Sequence, residues 1–328
     1  MKSFSIGIMA DSLHLPFEAS LAKCRELGAD GVQLYAVEGE MAPENQTAAT
    51  ISEKRHILAE CGLEVSALCG DLGGHGFAVA SENPRKIERS KRIVDLALEL
   101  GGSIVTTHIG VVPEDVQSER YKVMQEACNE LAAYAHQNGA WFAIETGPEP
   151  ADRLRAFLDS LDTKGVGVNL DPANLVMVTD DDPVAAVYTL APYIVHTHAK
   201  DGVLLQKTDP QIIYDFFAEG GIGDMRLEEY FLETPLGQGN VPFDSYLSAL
   251  KEIHYAGYLT IEREVGADPI AIFVPLLLFC RVGFNDVRHE GHLFIAQIKH
   301  VASNFNNRKV QIRDETIRNI ADRMRTHW

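Results

Sequence analysis

"YIVHTHAKD", residues 193–201, begins as a buried strand and ends as something else. Tyr193, Ile194 and Val195 are aromatic or β-branched, the types that suit a pleated, half-buried surface. His196, His198, Lys200 and Asp201 then place four titratable groups within six residues. Burying such groups without partners costs several kcal/mol each. The end of this strand must therefore meet compensating groups from elsewhere in the chain.

Seven other short runs have the same apolar character. They are "FSIGIMA" (4–10), "GVQLYAV" (31–37), "EVSALCG" (64–70), "IVTTHIG" (104–110), "WFAIETG" (141–147), "VGVNLDP" (166–172) and "YLTIERE" (258–264). Near-continuous apolar runs of this length are what parallel strands buried on both faces look like. Between them lie helical patterns: "PFEASLAKCRELG" (16–28), "NPRKIERSKRIVDLALELGG" (83–102), "YKVMQEACNELAAYAHQNG" (121–139) and "FDSYLSALKEIHYAG" (243–257). Each is expected to close on its glycine, with Asn83 and Pro84 as start signals for the second. Eight strand–helix alternations over roughly 260 residues predict an α/β protein, a closed (β/α)8 TIM barrel. A doubly wound sheet is the competing layout. "GIMADS" after the first strand lacks the second and third glycines of a dinucleotide-binding turn.

With 46% apolar residues the 328-residue chain can fill a large core, and its net charge is −18. That charge opposes binding to nucleic acid or to an anionic membrane, and the first 280 residues hold no basic patch. Five cysteines, Cys24, Cys61, Cys69, Cys128 and Cys280, form no C-x-x-C pair. Neither a disulfide framework nor a cysteine zinc site is expected. "MKSFSIGIMADS" turns polar too soon for a signal peptide, so a cytoplasmic setting is expected.

Two regions depart from the regular plan. Residues 202–240 form a long connection containing "GGIGD" and "PLGQGN", a length typical of lids and binding loops. After residue 268 the pattern breaks. "IAIFVPLLLFCRVGF" is short of the roughly 18 residues that a membrane span requires, and it contains Pro275. Residues 281–328 hold nine Lys and Arg against five Asp and Glu. Residues 1–268 are therefore expected to form the barrel, and 269–328 an atypical C-terminal helical tail.

Active sites of such barrels lie at the C-terminal ends of the strands. Those ends carry His108, Glu145, Asp171, then His196, His198 and Asp201, and finally Glu262 and Glu264. Alternation along a strand puts His196 and His198 on one face. Glu145, Asp171, His198 and Glu262 offer three carboxylates and one imidazole from four successive barrel strands. That set suits Mn²⁺, Mg²⁺, Co²⁺ or Zn²⁺ better than a soft, thiolate-binding metal. His196, Lys200 and Asp201 are expected near the site or behind its ligands. His108 reads equally as a substrate contact or a structural residue. Lys200 reads equally as a substrate contact or as the partner of Asp201 or another carboxylate. The "GGHGF" turn (73–77) is either part of the site or a plain loop.

"AIETG", "GVNLDPANL", "VHTHAKD", "PLGQGNVPF" and "YLTIERE" together resemble the sugar phosphate isomerase/epimerase family of the xylose isomerase-like barrels, over residues 4 to about 268. The resemblance implies metal ligation by Glu145, Asp171, His198 and Glu262, with Glu145 and Glu262 also transferring protons. Many relatives carry D-x-x-H on the sixth strand. "DPAN" places Asn174 there instead, and an amide can hydrogen-bond a hydroxyl but cannot act as acid or base near neutral pH. His108, Asn174, His196, Lys200 and Arg263 are the expected substrate contacts.

The expected activity is metal-dependent isomerisation or epimerisation of a sugar or related polyol ketone through proton abstraction and an enediolate. Dehydration of an inosose-like substrate begins with the same step. A non-catalytic sugar-binding barrel is a third reading. Phosphodiester cleavage is disfavoured by the charge and by the absent histidine. The partner is then a small-molecule sugar or polyol, with no nucleic acid and no membrane. Pairing of the outer helices would allow a homo-oligomer. Lys200, Arg226 and Arg263 are the obvious cations where such barrels often hold phosphate.

Overall fold

In the computed structural model, which describes residues 4–263, every one of the eight apolar runs becomes a strand. The chain contains β1 (Ser5–Met9), β2 (Gly31–Tyr35), β3 (Glu64–Cys69), β4 (Ile104–Thr107), β5 (Trp141–Glu145), β6 (Val166–Leu170), β7 (Ile194–Ala199), β8 (Asp201–Leu204), β9 (Phe231–Thr234) and β10 (Tyr258–Ile261). Eight of them close in the order β1-β10-β7-β6-β5-β4-β3-β2. Every neighbouring pair is parallel. The result is a TIM barrel. Alternation sends Leu259 and Ile261 outward against the helices and Thr260 and Glu262 toward the interior.

The helices are α1 (Phe17–Leu27), α2 (Ala48–Cys61), α3 (Asn83–Glu99), α4 (Glu119–Gln137), α5 (Ala151–Asp159), the single turn α6 (Pro172–Asn174), α7 (Pro183–Leu190), α8 (Pro210–Glu219) and α9 (Phe243–Glu252). Three of them start at Asp-Pro. Asp171, Asp182 and Asp209 each cap the first turn with a carboxylate, and proline follows where no N–H is needed. Along α4, Met124, Cys128, Leu131 and Ala135 recur at spacings of three or four and are all buried. Each large side chain on such a face contributes roughly 1.5–3 kcal/mol by leaving water.

Two details differ from the sequence reading. Helix α9 stops at Glu252 rather than running to Gly257. The Tyr255 N–H returns to Leu250 O at 2.9 Å, satisfying a terminal carbonyl, and His254 takes the left-handed turn with φ 59°. The long connection also has structure of its own. Strands β8 and β9 pair antiparallel, with Asp201 opposite Thr234 and Gly202 opposite Glu233, and α8 lies between them. The expected domain limit at 268 and the tail beyond it lie outside the described residues. Among the described residues no helix is long and apolar enough to cross a membrane.

Candidate metal centre

Asp171 follows β6 directly, and its cap orients it. Oδ1 accepts the N–H groups of Ala173 (2.8 Å) and Asn174 (3.0 Å), which fixes the carboxylate and turns Oδ2 toward the barrel axis. There Oδ2 lies 3.3 Å from Nδ1 of His198. The same nitrogen lies 3.5 Å from Glu145 Oε1 at the end of β5 and 3.1 Å from Glu262 Oε2 just past β10. One donor atom from each of the four residues falls within 4.8 Å of the others. All four are buried, the most accessible being Glu145 at 7%.

The layer beneath fixes how these groups point. Nε2 of His198 donates to Gln33 Oε1 at 2.9 Å, so the Nδ1 lone pair is the one left for a cation. The Gln33 amide in turn donates to Thr106 Oγ1 at 2.9 Å. Asn169 donates to Glu145 Oε2 at 2.9 Å and accepts from His196 Nδ1 at 2.8 Å. The second nitrogen of His196 accepts from Thr260 Oγ1 at 2.9 Å. These side chains form a connected polar chain through the barrel interior.

Burial alone would drive His198 to neutrality. Glu262 and Glu145 outweigh it and hold the imidazolium well above its usual range. Burial likewise opposes ionisation of Glu145 and Glu262, but His198 keeps both below the ordinary carboxylate range, helped by His108 for Glu145 and by Lys200 for Glu262. A proton on Nδ1 thus does what a cation would do. Three carboxylate oxygens and one imidazole nitrogen, buried and facing each other, are a donor set that could hold a divalent metal of the Mg²⁺, Mn²⁺, Co²⁺ or Zn²⁺ type.

The remaining expected site residues fall around this centre. His108 sets Nδ1 3.1 Å from Asp71 Oδ2 and Nε2 3.9 Å from Glu145 Oε1. Burial would depress it, yet Glu145 and the hydrogen bond from Asp71 raise it to about 9. Asn174 Nδ2 donates to Glu145 Oε1 at 3.2 Å. Lys200 Nζ donates to Glu262 Oε2 at 3.0 Å, choosing that carboxylate over Asp201. Arg263 sits 2.9 Å from Glu233 of β9. His196 is placed one layer below the cluster, with both ring nitrogens engaged.

Several neighbours were not singled out in the sequence. Gln33 and Asn169 carried a signal, since each is a polar residue inside an apolar strand. Glu149 in "ETGPEP" is 1% exposed, with Oε2 accepting from Val112 N at 2.9 Å. Tyr214 of α8 packs against His108 at a tilt, with ring centroids 5.5 Å apart and planes 56° apart. His75 of the "GGHGF" turn reaches the same helix, 3.0 Å from Glu219 Oε1. The connection thus folds over the strand ends. A cleft of about 490 Å³ opens beside Glu262, lined among others by Asp11, Ser12, His14, Tyr35, Glu38 and Glu40.

Comparison with known proteins agrees with the barrel fold. Residues 21–275 match the model of the xylose isomerase-like TIM barrel family. A xylose isomerase domain protein from Planctomyces limnophilus superposes with a TM-score of 0.70 at 26% identity, covering 87% of this chain and 99% of the other. The probable 3-DHS dehydratase AsbF from Bacillus anthracis does so with 0.65 at 16% identity, covering 84% and 98%. D-allulose 3-epimerase from Methylomonas sp., in complex with D-allulose, gives 0.60 at 18% identity, covering 85% and 96%. An uncharacterised protein of Methanocaldococcus jannaschii is 25% identical over 202 residues, which is 57% of this chain and 60% of that protein's length.

Proposed function

The chain belongs to the xylose isomerase-like TIM barrel family, and on that premise we propose that it is a divalent-metal-dependent isomerase or epimerase of a sugar or related polyol ketone. The observation that carries this reading is the convergence of Glu145 and Glu262 on one centre. They leave strands three places apart in the barrel, yet lie 3.5 and 3.1 Å from the same nitrogen of His198.

A divalent ion held by Glu145, Asp171, His198 and Glu262 would supply Lewis acidity to a ketone and its neighbouring hydroxyl, stabilising negative charge as the carbon between them loses a proton. Glu145 and Glu262 are the groups that move that proton. A positive charge between them, the His198 imidazolium here and the ion when bound, favours the ionised carboxylates, the state a base requires. One takes the proton from carbon and the other returns one, the two directions being unassigned between them. Asn174 and Asn169 hold Glu145 through both oxygens, and Lys200 holds Glu262. Tyr214 of the β8–β9 connection packs against His108 beside these groups.

The experiment is incubation of metal-loaded protein with ketohexoses and inososes in heavy water. Solvent deuterium should enter the substrate at the carbon beside the carbonyl, and an epimer or isomer should accumulate. A product lighter by one water would instead identify a dehydratase, the class named for a barrel of the same fold, a probable 3-DHS dehydratase. Glu145→Gln and Glu262→Gln should each lower exchange by about 100-fold or more while leaving the melting curve in place. Near-normal exchange in both variants would defeat the scheme.

A further inference from the structure

We propose that α8 is a lid on the Glu145 side of the centre, latched by His75 and hinged on the glycines that follow the helix. Two stretches that stood apart in the sequence, "GGHGF" (73–77) and "GGIGD" (220–224), take part in it. His75 Nδ1 lies 3.5 Å from Asp215 Oδ1 and its Nε2 3.0 Å from Glu219 Oε1, so one imidazole grips two successive turns of the helix. Gly73, Gly74 and Gly76 around it take φ of 68°, 61° and 58°, and Gly220, Gly221 and Gly223 beyond the helix take 70°, 123° and 53°. Glycine adopts such backbone at little steric cost and keeps more conformational freedom than any other residue. Both sides of the contact can therefore change course.

The helix itself is lightly anchored. Within α8 only Ile213 is buried. Ile212 and Phe217 are 42% and 61% exposed. Segments with few buried apolar side chains are the ones that open locally at low free energy. The latch is of matching strength. His75, Asp215 and Glu219 each leave a third or more of the side chain in water. An exposed pair of this kind shifts an equilibrium by no more than about fivefold. His75 therefore biases α8 toward the closed position without fixing it there.

What lies against the helix gives its motion a use. The Tyr214 ring packs on His108, and its hydroxyl comes within 3.1 Å of the point that a Cβ on Gly147 would occupy. His108 Nε2 lies 3.9 Å from Glu145 Oε1. It is buried and has no hydrogen-bond partner among the described residues. A buried nitrogen left unpaired disfavours the closed position when no ligand is bound. A ligand hydroxyl that pairs with it removes that cost, so α8 opens to admit a ligand and shuts on it. This holds for any hydroxyl-bearing ligand and does not depend on which reaction follows.

The test places spin labels at Phe217→Cys on α8 and at Glu126→Cys on the outer face of α4, with Cys61 and Cys280 replaced by Ser. Both labelled positions are exposed, and the buried Cys24, Cys69 and Cys128 stay unlabelled. Pulsed electron spin resonance should find two distances, closed and open. His75→Ala should raise the ratio of open to closed by about threefold or more. A single distance common to both proteins would overturn the proposal. The barrel side is read without labels, by modification of imidazoles with diethyl pyrocarbonate and peptide mass spectrometry. His108 should react faster in His75→Ala by about the same factor, while His196, fully buried among the strands, stays protected. An unchanged rate at His108 would show that α8 does not control access to the centre, and would equally overturn the lid.

Discussion

Gln33 Oε1 and His198 Nε2 lie 2.9 Å apart although 165 residues separate them in the chain. This contact presents Nδ1 of His198, rather than Nε2, to Glu145, Asp171 and Glu262. Contacts behind a metal ligand commonly change affinity by 10–100-fold. Gln33→Ala should therefore weaken binding of Mn²⁺ or Co²⁺ by about that factor, measured by competition with a chromogenic chelator. An unchanged affinity would mean that packing alone orients the imidazole.

Glu149 should leave a pH signature on stability. Burial raises its carboxyl from 4.5 to about 7, against the hydrogen bond from Val112. The unfolded chain ionises it more easily, so its contribution is favourable at low pH and is lost as pH rises from 4.5 through 7. The full swing is roughly 3 kcal/mol. Glu149→Gln removes that penalty. Its melting temperature relative to wild type should be higher by about 5 °C or more at about pH 8 than at about pH 5. Equal differences at both pH values would show that the carboxyl does not titrate in this window.

Gly147 should not tolerate a side chain. Its φ is +138°, and a Cβ would meet Asn174 Cβ at 2.6 Å and the Tyr214 hydroxyl at 3.1 Å. Gly147→Ala should lower stability by about 1–3 kcal/mol. It should also push Asn174 away from Glu145 and reduce turnover more than the stability loss accounts for. Thermal melts and kcat/KM measured side by side check this, and wild-type values for both would contradict it.

The barrel was legible because its code is local. Eight apolar runs of strand length, separated by helical periodicity, leave few layouts open, and Asn83 and Pro84 mark the start of α3. The convergence of Glu145, Asp171, His198 and Glu262 was legible for a related reason. A carboxylate or imidazole closing an apolar run has to be explained, and the strand ends of a barrel share one face. What escaped depends on contacts between distant segments. Nothing local to Glu233 foretells its pairing with Arg263, and nothing local to Tyr214 foretells its place over His108. Asp201 was expected beside the site because it adjoins His198 and Lys200. It turns instead to the 237–241 loop, a preference set by four amides lying 36 or more residues away, save that of Gly202. The early end of α9 escaped because His254, not glycine, takes the left-handed turn.

The central claim is that Glu145, Asp171, His198 and Glu262 hold one divalent ion. Elemental mass spectrometry on protein purified without chelator, then reloaded with each metal and desalted, tests it beside the His198→Ala/Glu262→Gln double variant. The expected result is about one equivalent of Mn, Co, Zn or Mg in the wild type, as four donors around one point can hold, and little in the variant. Equal metal in both proteins, or none in the wild type under any loading, would contradict the claim.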